Sequence, residues 1–288
     1  MKIYYVDGEF VSSKKAMIPV DDLSVLRGYG VCDIMRTYQG RPYFLNEHIA
    51  RLEHSASKIG LTLPWDTDKI KGIVLETLER NQIQPEADGP SQTLEANVRI
   101  VITGGSSPDF LNPVGSPRLI VLVTPIKKLP RSWYTNGVKV ITVDQERSIP
   151  GAKVTSYIPA ALALKKAGGK NAVEAIYVNA LKEALEGTTS NLFAFFGTCL
   201  VTPEKDVLKG ITRKLILDLA SGMFEVEKRK IRLEDLVSAN EVFISGTNKG
   251  VVPVIQINDT IIGSGQPGEN TLRIMAALDN HAREFQEK

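Results

Sequence analysis

The sequence predicts a two-domain protein of the mixed α/β (α+β) class, with a smaller N-terminal α/β domain and a larger β-rich C-terminal domain. Its 288 residues, 43% hydrophobic and 24% charged, are enough to bury a large core. Strand and helix patterns alternate before position 125, whereas strand patterns predominate after position 133. The stretch 126–132 combines charge with proline, which is typical of a linker. We therefore place the two domains at 1–125 and 133–288.

Two periodicities define the elements of the first domain. Ile49, Leu52, Ala56 and Ile59 recur at spacings of three and four, so the helix that Asn46 opens buries one face. Side chains of alternating character over 97–103 predict a strand with two distinct faces. We predict strands at 1–6, 9–11, 32–39, 97–103 and 119–124, helices from 46 and over 68–81, a turn-rich loop at 19–26 and a polar loop at 84–95.

The second domain contains more strands than the first, separated by three helical stretches. Its strands are predicted from short apolar runs bounded by turn-forming residues. No internal repeat is visible in the pattern. We predict strands at 138–143, 175–179, 192–196, 200–202, 241–245 and 254–257, and helices near Ala160, Arg213 and Leu272.

Charge and cysteine content exclude several classes of protein. The net charge of +2 comes from 35 basic and 33 acidic side chains without a long run of one sign, so neither nucleic acid nor a membrane is an expected partner. The N-terminus predicts a strand and not a signal peptide, and no apolar run reaches membrane-spanning length, so we expect a cytoplasmic protein. Cys32 and Cys199 form no CxxC pair, and we expect no metal site.

Lys153, Glu186 and the run from Lys209 to Arg213 together meet the demands of pyridoxal phosphate. That cofactor needs an amine for a Schiff base, an acid opposite its ring nitrogen and a cup of N–H groups for its phosphate. Lys153 lies in the segment 150–157, just before the apolar helical stretch 160–167, so a rigid element follows the amine. Glu186 closes a strand and turn unit. The sequence therefore contains candidates for the amine and for the acid.

The run from Lys209 to Arg213 is the candidate phosphate cup. Gly210 permits close approach of the backbone to a ligand. We expect Thr212 to cap a helix over 213–220, whose N–H groups and dipole suit a phosphate.

With these residues in this order, the chain resembles a class IV, fold-type IV pyridoxal-phosphate aminotransferase. This group holds the D-amino-acid and branched-chain aminotransferases and aminodeoxychorismate lyase. The resemblance implies a two-domain α/β enzyme with the cofactor in the interdomain cleft, and it implies a homodimer. The motifs that carry it are Leu26-Arg27-Gly28-Tyr29-Gly30-Val31-Cys32-Asp33, Glu47-His48-Ile49-Ala50-Arg51-Leu52, Lys153, Glu186-Gly187-Thr188-Thr189-Ser190-Asn191, Leu208-Lys209-Gly210-Ile211-Thr212-Arg213 and Ser245-Gly246-Thr247-Asn248.

The resemblance assigns a role to each candidate site residue. Lys153 is the catalytic residue, which holds the cofactor and then moves a proton at the substrate α-carbon. Glu186 keeps the pyridine nitrogen protonated. Phosphate binding falls to Arg51, Ile211, Thr212, Thr247 and Asn248, while Tyr157 contacts the phenolic oxygen and Leu208 packs on the ring face.

Substrate choice depends on where the α-carboxylate is held. In the well-known D-amino-acid aminotransferases an Arg-x-His pair after Ser-Pro holds it, but here Asp109 and Leu111 stand at those positions. Cys32 stands where the branched-chain group commonly has an aromatic residue. Arg27 and Arg99 are the candidate substrate-binding residues. Arg99 is an isolated guanidinium on an otherwise apolar strand, and such a group needs an anion. The pattern Leu26-Arg27-Gly28-Tyr29-Gly30 together with Arg99 resembles that of a divergent D-amino-acid aminotransferase subgroup that uses such arginines. A structural salt bridge is the alternative for each arginine.

The sequence therefore predicts a transaminase that acts between a D-amino acid, of the D-alanine or D-glutamate type, and a 2-oxo acid such as 2-oxoglutarate or pyruvate. Both stages of this ping-pong reaction use one site. The alternatives are an L-branched-chain aminotransferase, favoured by Tyr157, then aminodeoxychorismate lyase, and a cofactor-binding protein without turnover. His48, His54 and His281 accompany no nucleophile motif, and we expect them on helix surfaces.

Overall fold

The computed structural model describes residues 2–81 and 95–285. Contacts within the chain divide it into two compact units, which are described separately. Among the described residues, the N-terminal unit covers 2–81, 95–127, 152–156 and Phe285, and the C-terminal unit covers 128–151 and 157–284. The segment that carries Lys153 thus belongs to the N-terminal unit, although it follows the predicted linker. Of the polar loop expected at 84–95, all but Glu95 lies outside the described residues.

The described part of the N-terminal unit contains six strands and three helices. They are β1 (Ile3–Val6), β2 (Glu9–Ser12), α1 (Leu23–Arg27), β3 (Gly30–Tyr38), β4 (Arg41–Pro42), α2 (Leu45–Lys58), α3 (Thr67–Arg80), β5 (Ala96–Thr103) and β6 (Leu119–Pro125). The strands form one sheet in the order β2-β1-β6-β5-β3-β4. Each neighbouring pair is antiparallel.

The helices α2 and α3 cover one face of this sheet and create the core of the unit. Ile49 and Leu52 of α2 are fully buried, as are Val98 and Ile100 of β5. Burying such a side chain stabilises the fold by about 1.5–3 kcal/mol. Side chains alternate across a strand, so Arg99, which stands between Val98 and Ile100, lies on the opposite face of the sheet. There it is exposed. The sheet therefore has one dry face and one accessible face.

The C-terminal unit contains ten strands and five helices. They are α4 (Ser132–Thr135), β7 (Val138–Asp144), α5 (Ile158–Gly168), β8 (Glu174–Val178), β9 (Glu183–Gly187), β10 (Asn191–Phe196), β11 (Cys199–Thr202), α6 (Ile211–Ala220), β12 (Glu225–Lys228), β13 (Ile231–Arg232), α7 (Leu233–Val237), β14 (Glu241–Gly246), β15 (Gly250–Ile257), β16 (Thr260–Ile261) and α8 (Glu269–Glu284). The helix α5 packs on β7 and β8, and α6 packs on α8 and β14.

One ten-stranded sheet runs through the C-terminal unit in the order β12-β11-β10-β14-β15-β7-β8-β9-β13, with β16 beside β15. An additional pairing joins Glu186 of β9 to Asn191 of β10. This pairing closes β10, β14, β15, β7, β8 and β9 into a ring. Glu186 and Asn191 are thereby brought side by side, together with the turn that connects them.

The mixed α+β class predicted from the sequence is confirmed, and so are its principal helices and strands. The expected loop at 19–26 is wrong in part, because Asp22 accepts a hydrogen bond from the Ser24 N–H and caps the short helix α1. The expected cap at Thr212 is also wrong. Gly210 is the N-cap of α6, with φ −65° and ψ 137°, so Thr212 lies inside the first turn. Among the described residues, no helix has the length and apolar character needed to cross a membrane.

Candidate active site

Lys153 is held by its backbone against the start of β3. Val154 forms an antiparallel bridge with Val31, and the Cys32 N–H donates to the Lys153 carbonyl at 2.9 Å. The Lys153 N–H donates to Ser55 Oγ of α2 at 3.1 Å, and this hydroxyl donates to the Arg51 carbonyl at 2.7 Å. The short segment 152–156 therefore extends the sheet, and a hydrogen-bonded chain links Lys153 to the helix turn of Arg51.

Arg51 is fixed by a buried carboxylate. Its Nε and Nη2 donate to the two oxygens of Asp33, each at 2.8 Å, in the bidentate geometry that fits guanidinium to carboxylate. Asp33 is fully buried on β3. Burial alone would raise the pKa of Asp33, but the charge and hydrogen bonds of Arg51 and the interaction with His48 together outweigh this effect and hold that pKa well below its usual range. Arg51 is therefore oriented before any ligand arrives.

His48 supports the same carboxylate. Its Nδ1 lies 2.6 Å from Asp33 Oδ1, and the side chain is only 2% exposed. The expectation that His48 lies on a helix surface is wrong, because α2 turns this position toward β3. Burial lowers the pKa of His48 below its ordinary value, so we assign a neutral imidazole whose Nδ1–H donates to Asp33. His54 is exposed, as expected.

Arg99 lies on the accessible face of the sheet, one strand away from Cys32. The register pairs Cys32 with Val101 and Ile34 with Arg99, so Cys32 and Arg99 are diagonal neighbours on one face, roughly 7–8 Å apart. Burial raises the pKa of the Cys32 thiol, and the nearby charges of Lys153 and Arg99 act against this rise. Within 2–81 and 95–285, Arg99 has no hydrogen bond or ion pair. The structural salt bridge weighed for it is therefore not observed in the described residues.

Arg27 is placed differently. It is exposed at the end of α1, where its Nε donates to the Phe110 carbonyl at 3.1 Å and its Nη1 to the Leu26 carbonyl at 3.2 Å. Asp109 organises the loop that it reaches, accepting hydrogen bonds from Ser107 Oγ and from the backbone of the residues after Phe110. Asp109, which replaces the arginine of the usual pair, thus has a structural role in shaping this loop.

In the C-terminal unit, Glu186 is buried and paired with Arg147. The Arg147 Nε donates to Glu186 Oε1, and the guanidinium lies over the Tyr177 ring at 5.9 Å. Burial would lower the pKa of Arg147, but the charge and hydrogen bond of Glu186, with Tyr157 and Tyr177, together outweigh this effect and raise that pKa, so Arg147 remains a cation. The phenol of Tyr157, which precedes α5, is close enough to act on the charge of Arg147. Glu186 and Tyr157 therefore share one cationic neighbour.

Asn191 connects Glu186 with the start of α6. Its Nδ2 donates to the Leu208 carbonyl at 2.8 Å and to Glu186 Oε2 at 3.3 Å, and the Leu208 N–H donates to the same oxygen at 3.1 Å. A Cβ added at Gly210 would overlap Asn191 Oδ1. Only glycine at position 210 therefore allows the backbone to lie this close to Asn191. Leu208, which is 8% exposed, lies beside Glu186 as a result.

The N-terminus of α6 has donors for an anion. Ile211 and Thr212 occupy its first two positions, and no side chain caps the helix. Neither N–H group has a hydrogen-bond acceptor in the described parts of the chain, and both residues are partly accessible. Helix N-termini of this kind bind phosphate through their N–H groups and the helix dipole. Although Thr212 is not the cap, its position still suits the expected role.

Two buried polar atoms near the β14 to β15 turn lack a partner in the described residues. They are Ser245 Oγ and Asn248 Oδ1, which flank Thr247. Ser245 pairs with Asn191 across the sheet, so this turn lies beside the Asn191 group. Buried polar atoms are almost always satisfied, and a ligand is one way to satisfy them. The turn of Thr247 and Asn248 therefore fits a bound polar group.

Several residues that orient the candidate site were given no role in the sequence analysis. Asp33 is a charged residue within a buried strand, which was a readable signal, and Arg147 stands six positions before Lys153. Asn191 lies in a quoted motif but was given no role. The partners of these residues are distant along the chain, so spacing alone did not reveal the pairs.

Comparisons with known proteins agree with this geometry. The family model described as amino-transferase class IV matches residues 30–257. A Methanocaldococcus jannaschii protein, provisionally named a branched-chain-amino-acid aminotransferase, is 33% identical over 284 residues, covering 95% of this chain and 94% of its own. The D-alanine aminotransferase of Bacillus licheniformis is 30% identical over 289 residues, covering 97% and 96%.

Solved structures that resemble this chain are also aminotransferases. The T.th. branched-chain amino acid aminotransferase, solved with pyridoxamine 5'-phosphate, is 25% identical with a TM-score of 0.89, covering 98% of this chain and 94% of its own. The branched-chain amino acid aminotransferase of Escherichia coli has the same identity and TM-score, covering 100% and 96%. With these matches along nearly its whole length, the chain belongs to the class IV aminotransferases, pyridoxal-phosphate-dependent enzymes of fold type IV.

Proposed function

We propose that this aminotransferase moves an amino group between a D-amino acid, of the D-alanine or D-glutamate type, and a 2-oxo acid such as 2-oxoglutarate or pyruvate. The observation that carries the proposal is Arg99, an exposed guanidinium with no ion pair among the described residues, on the same sheet face as Cys32. An arginine in this state is available for a carboxylate that binds and leaves. The full-length likeness to a D-alanine aminotransferase supports the same choice.

Lys153 is the proposed catalytic residue. Its backbone is fixed on both sides, by Cys32 and by Ser55, so the side chain starts from a rigid position. We assign to its Nζ the covalent attachment of the cofactor and the removal and return of the proton at the substrate α-carbon. Pyridoxal phosphate supplies an electron sink for the electron pair that this proton leaves behind.

Glu186 is the proposed partner of the cofactor's ring nitrogen. It lies in a buried position where a carboxylate is held in one orientation by Arg147, Asn191 and the Leu208 N–H. We infer that Arg147 keeps Glu186 ionised and that Glu186 in turn keeps the ring nitrogen protonated. Tyr157, near the same arginine, is proposed to contact the phenolic oxygen, and Leu208 to pack on the ring face.

We assign the cofactor's phosphate to N–H groups, polar side chains and a guanidinium that are suited to bind an anion. Ile211 and Thr212 supply the uncapped N–H groups of α6. Thr247 and Asn248 supply a turn with buried polar atoms that lack partners in the described chain. Arg51 supplies a guanidinium oriented by Asp33. Each of these groups suits a phosphate within its own unit, and the family resemblance is the basis for assigning one cofactor phosphate to all of them.

Arg99 and Arg27 are assigned to the substrate. Arg99 is the stronger candidate, since its guanidinium has no ion pair within the described residues. Arg27 makes two backbone hydrogen bonds, to Phe110 and Leu26, and its remaining N–H groups are proposed to assist. The same site would then serve the amino donor and the 2-oxo acid acceptor in turn.

An L-branched-chain aminotransferase is the second candidate. The likeness to the Methanocaldococcus jannaschii protein and to the T.th. structure favours it, and so does Tyr157. Arg99 disfavours it, because a charged group on an apolar face suits a branched aliphatic side chain poorly. Aminodeoxychorismate lyase activity is the third candidate within the fold.

A homodimer and a cytoplasmic location complete the proposal. Both follow from the family resemblance and the sequence. Sedimentation is expected to report about twice the chain mass of 31.6 kDa. A fully active monomer would contradict the dimer.

Paired half-reactions test the proposed specificity. The purified holoenzyme is mixed with D-glutamate or with L-glutamate, and the change in the visible absorbance of the cofactor is followed without any 2-oxo acid. We expect D-glutamate to react at least about tenfold faster, a preference of about 1.4 kcal/mol. L-leucine and L-valine serve as comparison substrates. A faster reaction with these L-amino acids would replace the proposal with the branched-chain alternative.

A further inference from the structure

Glu174 is a buried carboxylate for which the proposed reaction has no use. It begins β8, in which every residue is buried, and it is fully inaccessible. Its oxygens accept hydrogen bonds from Thr188 Oγ1, from Thr189 Oγ1 at 3.0 Å and from Ser190 Oγ at 3.2 Å. The three hydroxyls of the turn that follows Glu186 are thus directed at Glu174 and are not donors for a phosphate.

Lys249 supplies the charge that balances Glu174. Its Nζ donates to Glu174 Oε2 and, at 2.7 Å, to Thr189 Oγ1, and its side chain is 16% exposed. Burying a carboxylate without a partner costs several kcal/mol, so the contact with Lys249 helps to offset the cost of burying Glu174. The Lys249 carbonyl also accepts a hydrogen bond from the Tyr134 hydroxyl at 3.0 Å. Lys249 is therefore anchored at both its backbone and its ammonium group.

The Glu174 to Lys249 pair adds a side-chain link between two turns that neighbouring strands already bring together. One is the 188–190 turn, whose three hydroxyl groups donate hydrogen bonds to Glu174. The other is the β14 to β15 turn, to which Lys249 belongs and in which its N–H donates to the Gly246 carbonyl at 3.0 Å. A Cβ added at Gly187 would overlap Ser190 Oγ, so the first turn closes over Glu174 only because that position is glycine. The ion pair thus fixes where Thr247 and Asn248 lie.

We propose that Lys249 is a positioning residue which, through Glu174, holds the Thr247 and Asn248 turn in the conformation that binds the cofactor's phosphate, without contacting the phosphate itself. This inference rests on the proposed phosphate site. The opposite charges of Lys249 and Glu174 add no net charge to the turn. We expect the effect on the phosphate because the turn that the pair holds is the one proposed to bind that group.

Cofactor titrations of the full chain, freed of cofactor, test this role. Lys249→Met and Glu174→Gln are compared with wild type for pyridoxal phosphate and for pyridoxal, which lacks the phosphate. We expect each single variant to weaken pyridoxal phosphate binding by about tenfold or more and pyridoxal binding by less than about threefold. The double variant should bind pyridoxal phosphate about as weakly as either single variant, because all three lack the same ion pair. Lys230→Met, which removes an exposed pair with Glu183 in the same unit, is the matched control and should change neither affinity.

Other outcomes overturn the proposal in distinct ways. If Glu174→Gln tightened pyridoxal phosphate binding while Lys249→Met weakened it, Lys249 would be a direct phosphate ligand that Glu174 restrains. If both cofactor forms were lost equally, the pair would serve the fold in general. If the two losses of pyridoxal phosphate affinity added up in the double variant, Lys249 and Glu174 would act independently and not as a pair. A wild-type protein that did not prefer pyridoxal phosphate over pyridoxal would instead contradict the proposed phosphate site.

Discussion

Arg51 and Arg99 belong to the same unit of the protein, and they differ in what holds them. Arg51 lies on the helix that covers the dry face of the sheet, and both of its hydrogen bonds to Asp33 measure 2.8 Å. Arg99 lies on the accessible face and has no ion pair within the described residues. A fixed guanidinium suits an anion that is always present, such as a cofactor phosphate. An unpaired guanidinium suits a carboxylate that must bind and leave in every cycle.

The comparison extends to the backbone that carries each group. Lys153 and Arg51 are linked through Ser55, so the proposed attachment point and the proposed phosphate ligand share one rigid support. Arg27, by contrast, projects from a five-residue helix and bonds the loop at Phe110. Groups proposed for the cofactor are thus more firmly held than groups proposed for the substrate. This division is what the following predictions test.

Replacing Lys153 should have the largest effect. Lys153→Ala removes the proposed attachment point and the proton-transferring amine, so the half-reaction with D-glutamate should slow by about 10⁴-fold, at the upper end for a general base. Borohydride reduction of wild-type holoenzyme, followed by peptide mapping, should place the cofactor on Lys153. A label on Lys165 or Lys166, or an active Lys153→Ala variant, would contradict the assignment.

Changing the charge opposite the ring nitrogen should have the next largest effect. Glu186→Gln keeps the size of the side chain but removes the charge that pairs with Arg147, and we expect proton removal to slow by roughly 10²-fold. Single-turnover absorbance with D-glutamate measures this step. Glu183→Gln, an exchange on the same strand, is the matched control. A Glu186→Gln variant with the wild-type rate would show that Glu186 does not face the cofactor.

Replacing Arg51 should lower both the stability of the fold and the affinity for pyridoxal phosphate, and a second substitution should separate the two effects. Arg51→Ala leaves Asp33 as an uncompensated buried charge, so the free energy of unfolding should fall by about 3–5 kcal/mol, and pyridoxal phosphate binding should weaken. Adding Asp33→Asn should return stability without returning affinity, because the phosphate ligand is still missing. Urea unfolding and cofactor titration measure the two quantities. Recovery of both would show that Arg51 serves the fold alone.

Local patterns were enough to predict the helices and strands that carry the site. The apolar spacing of α2 and the alternation of β5 are properties of a few neighbouring residues, and both elements formed close to the expected bounds. The helix α1 was missed because five residues are too few to show a helical period. The expected cap at Thr212 followed a residue preference, whereas the extended backbone of Gly210 determines where α6 begins.

The candidate site was predicted only where a motif carries it. Lys153, Glu186 and Arg51 stand in recognisable motifs, but the pairs that orient them do not. Arg147 reaches Glu186 across 39 positions, and His48 reaches Asp33 across 15. Such contacts depend on how strands and helices pack, and no spacing in the sequence announces them. For the same reason Lys249, 75 positions from Glu174, was not given a role.

The most direct test of the division between fixed and available arginines is the half-reaction of Arg99→Ala with two amino donors. With D-glutamate, the rate constant divided by the dissociation constant should fall by about 10- to 150-fold, equivalent to about 1.5–3 kcal/mol for a hydrogen bond to a charged group. With a primary amine that lacks a carboxylate, it should change by less than about threefold. Arg80→Ala, which removes another exposed arginine of the N-terminal unit, is the control and should leave both rates unchanged. Equal losses with both donors, or no loss with D-glutamate, would contradict the assignment of Arg99 to the substrate carboxylate.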